Sequence, residues 1–497
     1  MNGMQGYDAV VAVTENNING NFFNIFEEEN GIRKHINLEI TKSVPATLVG
    51  EIRPPRVRLR VDGDHRKVLF IIDIKNSLLT RYRYRNTWPP LSQDNISGTI
   101  GLVANLRLDD LGTRAHPVPK EVQDRLKDPN FSVRQLFMDF QTADITTWDP
   151  RESTIMDSLK GNDAARDLLP AMINDYLGQL RESGHLILGY AVTTKNPNTT
   201  HFRTPSIPPT DLNFYVNTYK PQTGAKDEHG LDTLCYLMMT EKRQMPSETP
   251  SWFGNWVNNS KEYGKVAISK ESFFNRFLLP HLAGAANIHT TIVDKGDWQV
   301  TIDSRVGGNY TPTADGGEYE SPPAERLFQN ENSDLTWKAL HTSKVSAAAG
   351  GSKIELTGSS QIFMRHQRWY GVKHHAIDKV EALGVLLEWS TTISLTSVER
   401  GELEVDVSPL IVQERMMGKT GWIGIESDGL PPEFNDILLN LSRKVKEAFA
   451  VPALQSGIEE AINGMNSFVF PGGADFKLFH PRFNEHRDLI LDLQWES

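Results

Sequence analysis

The stretch AARDLLPAMINDYLGQL, residues 164–180, sets Ala165, Leu168, Leu169, Met172, Ile173, Tyr176, Leu177 and Leu180 at spacings that alternate between three and one. That is one face of an α-helix, held for about four turns. The next residues, GHLILGYAV (184–192), read as a strand. The helix carries no catalytic group, so its use depends on what its apolar face meets. Burying one Leu or Phe is worth about 1.5–3 kcal/mol, so this face must lie against apolar surface. Two surfaces qualify: a closed core, or the wall of a tubular gap beside a twisted sheet. The second would be dry and would accept an acyl chain or a similar ligand.

Helical periodicity recurs at 8–26, at 270–288, where Ser269 suits the N-cap, and at 433–464, which includes Phe449, Leu454 and Ile458. Pro170, Pro280 and Pro452 are expected to kink or restart their helices, because the ring removes a donor and clashes one turn back. Elsewhere the period is two, at 56–63, 67–74, 98–109, 131–145, 352–366, 382–399 and 401–408. Such strands suit antiparallel sheets solvated on one face. Helix, strands, helix and closing strands follow in that order, twice. The expected fold class is therefore α+β, with two modules at 1–245 and 269–497 joined by a Pro- and Asn-rich linker at 246–268.

The chain has 497 residues, 39% hydrophobic and 23% charged, a net charge of −11 and one cysteine. It is too long for one compact core and ordinary in composition for a globular protein. Bulk attraction to nucleic acid is not expected. Cys235 has no intrachain disulfide partner, which fits a reducing compartment. The N-terminus lacks the pattern of a secretory signal, and no apolar run is long enough to span a bilayer. Cytoplasmic synthesis is expected, and release by a non-classical route stays open.

Catalytic motifs end in near misses. MMGKT (416–420) has Gln413 where a phosphate-binding loop needs glycine, and GIESDG (424–429) has one residue too many for a nucleophile elbow. His366, His374 and His375 are weighed as metal ligands against solvated histidines, and adjacent strand residues diverge. DGDH (62–65) reads as a turn. No metal or cofactor is assigned. Charge is uneven, however. Residues 42–85 hold eleven Lys and Arg against four Asp and Glu. Within them Arg56, Arg58 and Arg60 alternate with Val and Leu, and Arg81, Arg83 and Arg85 alternate with Tyr82 and Tyr84. These triplets read either as a solvated face that protects a sheet from edge pairing or as a surface for an anionic membrane or acidic partner.

GYDAVVAVTENNING, FSVRQLFMDFQTA, GHLILGYAV, GLDTLCYLMMTEKRQMP, GKVAISKESFFNRFLLPHL, LEWSTTISLTSVERGELEV and NSFVFPGGADFKLFHPRFNEHRDLILDLQW run in order along nearly the whole chain. In this ensemble the sequence resembles the clostridial neurotoxin-cluster family of P-forty-seven and OrfX proteins. That family is similar in fold to the TULIP, or tubular lipid-binding, proteins. The resemblance implies two TULIP-like modules, each a long helix pair wrapped by a curved antiparallel sheet. It also implies a non-enzymatic protein that binds lipid or another hydrophobic molecule, as a toxin accessory or membrane-associated component with toxin-cluster partners. On this reading Leu169, Met172, Ile173 and Tyr176, and Phe449, Leu454 and Ile458, border the ligand. The alternatives are a cyclase or isomerase that uses an apolar tunnel as its reaction chamber, and an assembly scaffold with closed cores.

Overall fold

The computed structural model describes residues 3–29, 31–41, 45–59, 63–84, 89–111, 118, 120, 122–123, 131–140, 148–194, 209–221, 230–248, 250, 254–278, 289–294, 299–309, 331–372, 375–397, 403–409, 411–420, 455, 458–459, 468–469 and 476–495. Three antiparallel sheets make up the described fold, one of six strands, one of seven and one of eight.

The six-stranded sheet is shared by both ends of the chain. Its order is β20 (Phe476–Phe483), β21 (Leu489–Trp495), β11 (Gly264–Ile268), β1 (Ala9–Thr14), β10 (Thr233–Thr240) and β9 (Pro209–Asn217). Each half of the sequence thus supplies three neighbouring strands, and β1 and β11 meet antiparallel at the centre. Gly264–Ile268, which the sequence reading placed in the linker, is a fully buried strand there. The expected helix at 8–26 is corrected in the same way: Ala9–Thr14 is strand, and the helix is α1 (Glu15–Glu27). The run AVVAV is short and β-branched, and its placement between two strands buries both faces, which outweighs the helical spacing downstream. Thr14 ends the strand and caps the helix, its Oγ1 accepting from Asn17 N at 3.2 Å.

The eight-stranded sheet wraps the helices of the first half. Its order is β19 (Phe468–Val469), β8 (Ile187–Thr194), β7 (Phe131–Asp139), β6 (Ser92–Asp110), β5 (Lys67–Arg81), β3 (Ala46–Ile52) and β2 (His35–Ile40), with β4 (Arg56–Arg58) also on β5. The sheet curls. Register shifts fall between Val49 and Glu51, Ile74 and Ser77, and Leu136 and Phe137, and such bulges bend strands and sharpen twist. Gly50 makes one of these corners possible, since a Cβ there would stand 1.8 Å from Ser77 Oγ. The segment from Trp148 follows β6, bridging Leu102, and leads into the short helix α2 (Ile155–Ser158), which sits flush on β6 with Ile155 in the main core. Gly98, at φ +148°, would otherwise place a Cβ 2.7 Å from the Ile155 backbone.

Helix α3 (Asp163–Glu182) confirms the opening stretch. Asn162 caps it, its Oδ1 accepting from Ala165 N at 3.0 Å. The helix runs unbroken through Pro170, contrary to the expected restart. Pro170 is half-buried and Arg166, one turn earlier, is exposed, so water can reach the carbonyl that loses its bond. In the second half Glu271–Leu278 form a π-helix, and Gln455, Ile458 and Glu459 are helical. Ser269 is the expected cap, with Oγ accepting from Ser272 N at 3.1 Å. Pro280, Pro452 and most of the expected helices at 270–288 and 433–464 lie outside the described residues.

The seven-stranded sheet runs β12 (His289–Asp294), β13 (Gln299–Asn309), β14 (Glu331–Ala347), β15 (Lys353–Val372), β16 (His375–Ser397) and β17 (Leu403–Val407), with β18 (Ile411–Thr420) also on β16. One continuous apolar core joins α1, α3, the concave face of the eight-stranded sheet, the π-helix, β20 and β21, and the near end of the seven-stranded sheet. A smaller core covers the other face of the six-stranded sheet. There Trp256, from the segment expected as linker, packs with Tyr7, Cys235 and Ile490. The described architecture is thus a strand-rich α+β fold whose halves share a sheet and a core.

Candidate ligand-binding site

The site follows from the stripe on α3. Ala165, Leu169, Met172, Ile173, Tyr176, Leu177 and Leu180 are all buried, and Leu168 packs on their margin. The three-and-one spacing thus names the buried face residue by residue. Leu169, Met172 and Ile173 have no solvent exposure and Tyr176 has 4%. Ile458, from the second half, is equally buried in the same core. Its neighbour Glu459 accepts from Val405 N at 2.9 Å, which pins this helical turn to β17. Phe449 and Leu454 lie outside the described residues.

Within this apolar setting Tyr176 differs from its neighbours. Its hydroxyl is buried and has no hydrogen-bond partner among the described residues. Burial pushes its pKa well above the ordinary phenol value, so it stays a neutral O–H that can donate and accept. A buried tyrosine hydroxyl normally finds a partner, and leaving one unmade costs about 1–3 kcal/mol. Helix α1 repeats the pattern on a polar edge. The Nδ2 groups of Asn17 and Asn21, one turn apart, are buried and unpaired among the described residues. An acceptor oxygen on an otherwise apolar molecule would satisfy the Tyr176 hydroxyl. The spacing of the stripe locates Tyr176 but does not reveal that its hydroxyl lacks a partner, which depends on what the sheet brings over it.

The arginines are not brought together. Arg56 and Arg58 stand opposite Ile71 and Leu69 on β5, whereas Arg81 ends β5, ten residues beyond Ile71. At strand rise that is roughly 33 Å. Arg58 is ion-paired with Glu152, and Arg81 Nε donates to Ser92 Oγ at 2.6 Å. Arg83 is exposed and lies past the end of β5, so it does not extend one strand face with Arg81. Arg60 and Arg85 lie outside the described residues. Arg56 and Arg58 are thus set apart from Arg81 and Arg83. The histidines do not converge either: His366 stands opposite Glu381, six residues along β16 from His375, and His374 lies outside the described residues. Among the described residues no group of three or more His, Cys, Asp or Glu is placed to hold a metal ion, and no helix is long and apolar enough to cross a membrane.

The sequence gives no hint of a buried ionic junction between the halves. Asp8, fully buried before β1, accepts at Oδ1 from the guanidinium groups of Arg243 and Arg276. Its Oδ2 accepts from Thr240 N at 2.8 Å and Thr240 Oγ1 at 2.9 Å. Arg276, on the π-helix, also donates to Glu241 at 2.7 Å.

No family model matches the chain, and no curated protein sequence does. Among solved structures the chain is similar to P47 of Clostridium botulinum E1, at 11% identity and a TM-score of 0.48 over 99% of each chain. P47 from Clostridium botulinum A2 gives the same identity and TM-score over 99% of this chain and 98% of that one. A lipopolysaccharide binding protein is aligned over 99% of both chains, at 11% identity and a TM-score of 0.32. The two P47 structures bear the name of the family that the sequence resembles.

Proposed function

We propose that this chain is a non-enzymatic binding protein for a lipid or other largely apolar molecule, held along the buried face of α3. The Tyr176 hydroxyl carries the reading. A polar group that finds no partner among the described residues, amid Leu169, Met172 and Ile173, is costly to bury, and a ligand oxygen removes that cost. The place of the α3 face within the main apolar core favours an apolar ligand over a charged one. The sequence resemblance to the P-forty-seven and OrfX proteins points the same way. The accessory role beside a toxin rests on that resemblance alone.

The test is native mass spectrometry of the purified full chain, with uptake of fluorescently labelled phosphatidylcholine measured alongside. Expected are adduct masses that organic solvent releases, and saturable uptake that Tyr176→Phe weakens on the order of fivefold to tenfold, the worth of one buried hydrogen bond. A bare polypeptide with no saturable uptake would overturn the reading.

A further inference from the structure

At one end of the eight-stranded sheet the residue after β5 meets the start of β3. Tyr82 N donates to Pro45 O at 2.8 Å, which ties the residues after β5 to the start of β3, where Ala46 stands opposite Arg81. Leu91 N donates to Arg81 O at 2.7 Å and closes the turn between β5 and β6. Single exposed apolar residues are ordinary on a protein surface. Here two of the largest exposed ones, Tyr84 at 69% and Leu91 at 55%, flank the same turn. Arg83 and Pro89 beside them are exposed too. Charge reinforces the pattern. Residues 74–94 carry Lys75, Arg81, Arg83 and Arg85 against Asp94 alone, which accepts from Ser92 Oγ at 3.2 Å, in a chain whose net charge is −11.

We infer that the flanks of this turn, at Arg83, Tyr84 and Leu91, dock the protein on an anionic bilayer. Tyr84 and Leu91 enter the interfacial layer, and Arg83, with Arg81 behind it, faces the headgroup phosphates. A soluble anion would be served by the arginines alone and gives no reason to keep Leu91 and Tyr84 in water. A tyrosine ring with a polar tip and a leucine beside it suit the boundary between headgroups and acyl chains. Cations next to them are drawn to an anionic surface and screened by salt. Arg56 and Arg58, far along β5, take no part. The inference is independent of the core ligand, because Tyr176 is buried and the tip is exposed.

The test is co-sedimentation of the full chain with phosphatidylcholine vesicles, with and without phosphatidylglycerol, at low and high salt. Binding is expected only with phosphatidylglycerol, and weaker at high salt. Tyr84→Ser with Leu91→Ser, and separately Arg83→Gln, should each weaken it on the order of tenfold. Arg56→Gln should bind as the natural chain does, and circular dichroism should show every variant folded. No binding to anionic vesicles overturns the inference. So does full binding by the double serine variant. If that variant binds while Arg83→Gln does not, and inositol hexakisphosphate competes, the turn is a site for soluble phosphates instead.

Discussion

His185 follows α3 and is held by its backbone, with N donating to Leu180 O at 2.9 Å. Its Nδ1 is buried and without a partner among the described residues, and desolvation lowers the ring's pKa. The unfolded chain therefore takes up a proton near pH 6.5, where the folded chain does not. Unfolded protein binding more protons means that stability falls as pH drops. Urea denaturation should show stability level above about pH 7 and declining below about pH 6.5, with the decline reduced in His185→Gln. Asp488 works in the opposite sense. Burial raises its pKa, so its contribution is present below the ordinary carboxylate value and is lost as pH rises through the raised one. Comparing the two chains across pH isolates His185, and identical slopes would refute its role.

Among the elements, the junction at Asp8 joins the start of β1, the turn after β10 and the π-helix. Removing one member of a buried ion pair strands its partner at a cost of about 3–5 kcal/mol. Asp8→Ala should lose about that much in chemical denaturation, because Arg276 is only 17% exposed. Arg243, at 39% exposed, is mostly screened, so Arg243→Gln should cost no more than about 1 kcal/mol. Equal losses in the two variants would show that the cluster acts as a surface pair. The sequence revealed local features here and missed distant ones. Ser269 as a cap and the stripe of α3 follow from spacing that one element contains. The π-helix does not, because helical spacing over eight residues leaves the hydrogen-bond pattern undecided. Here Phe273 and Phe274 pack on Phe483, the Phe274 and Phe483 rings 5.2 Å apart, and Phe277 packs on Phe273. The two arginine triplets would lie together only if their strands paired side by side, whereas β5 runs to Arg81 and carries it far from Arg56 and Arg58. Register across strands decides such distances, and no local pattern encodes it.

In the molecule as a whole, the shared sheet decides how far the halves can stand alone. The repeated order of helices and strands suggested separable modules, yet β1 pairs on one side with β10 of its own half and on the other with β11. A fragment ending at residue 245 would keep β10 and lose β11, leaving the edge of Ala9–Val13 without its partner along the whole strand. It would also uncover Val11 and Ala9 and the face that meets Phe273 and Leu491 in the common core. An apolar strand with an open edge is a template for aggregation. Fragment 1–245 expressed alone should therefore be insoluble or self-associated. The same fragment co-expressed with 246–497 should assemble into a soluble one-to-one complex, since pairing β1 with β11 and β11 with β21 needs no covalent link. Size-exclusion chromatography with light scattering reads the outcome. A monomeric fragment 1–245 that unfolds cooperatively would mean that the first half folds as an independent module and that the six-stranded sheet is a docking surface added to it.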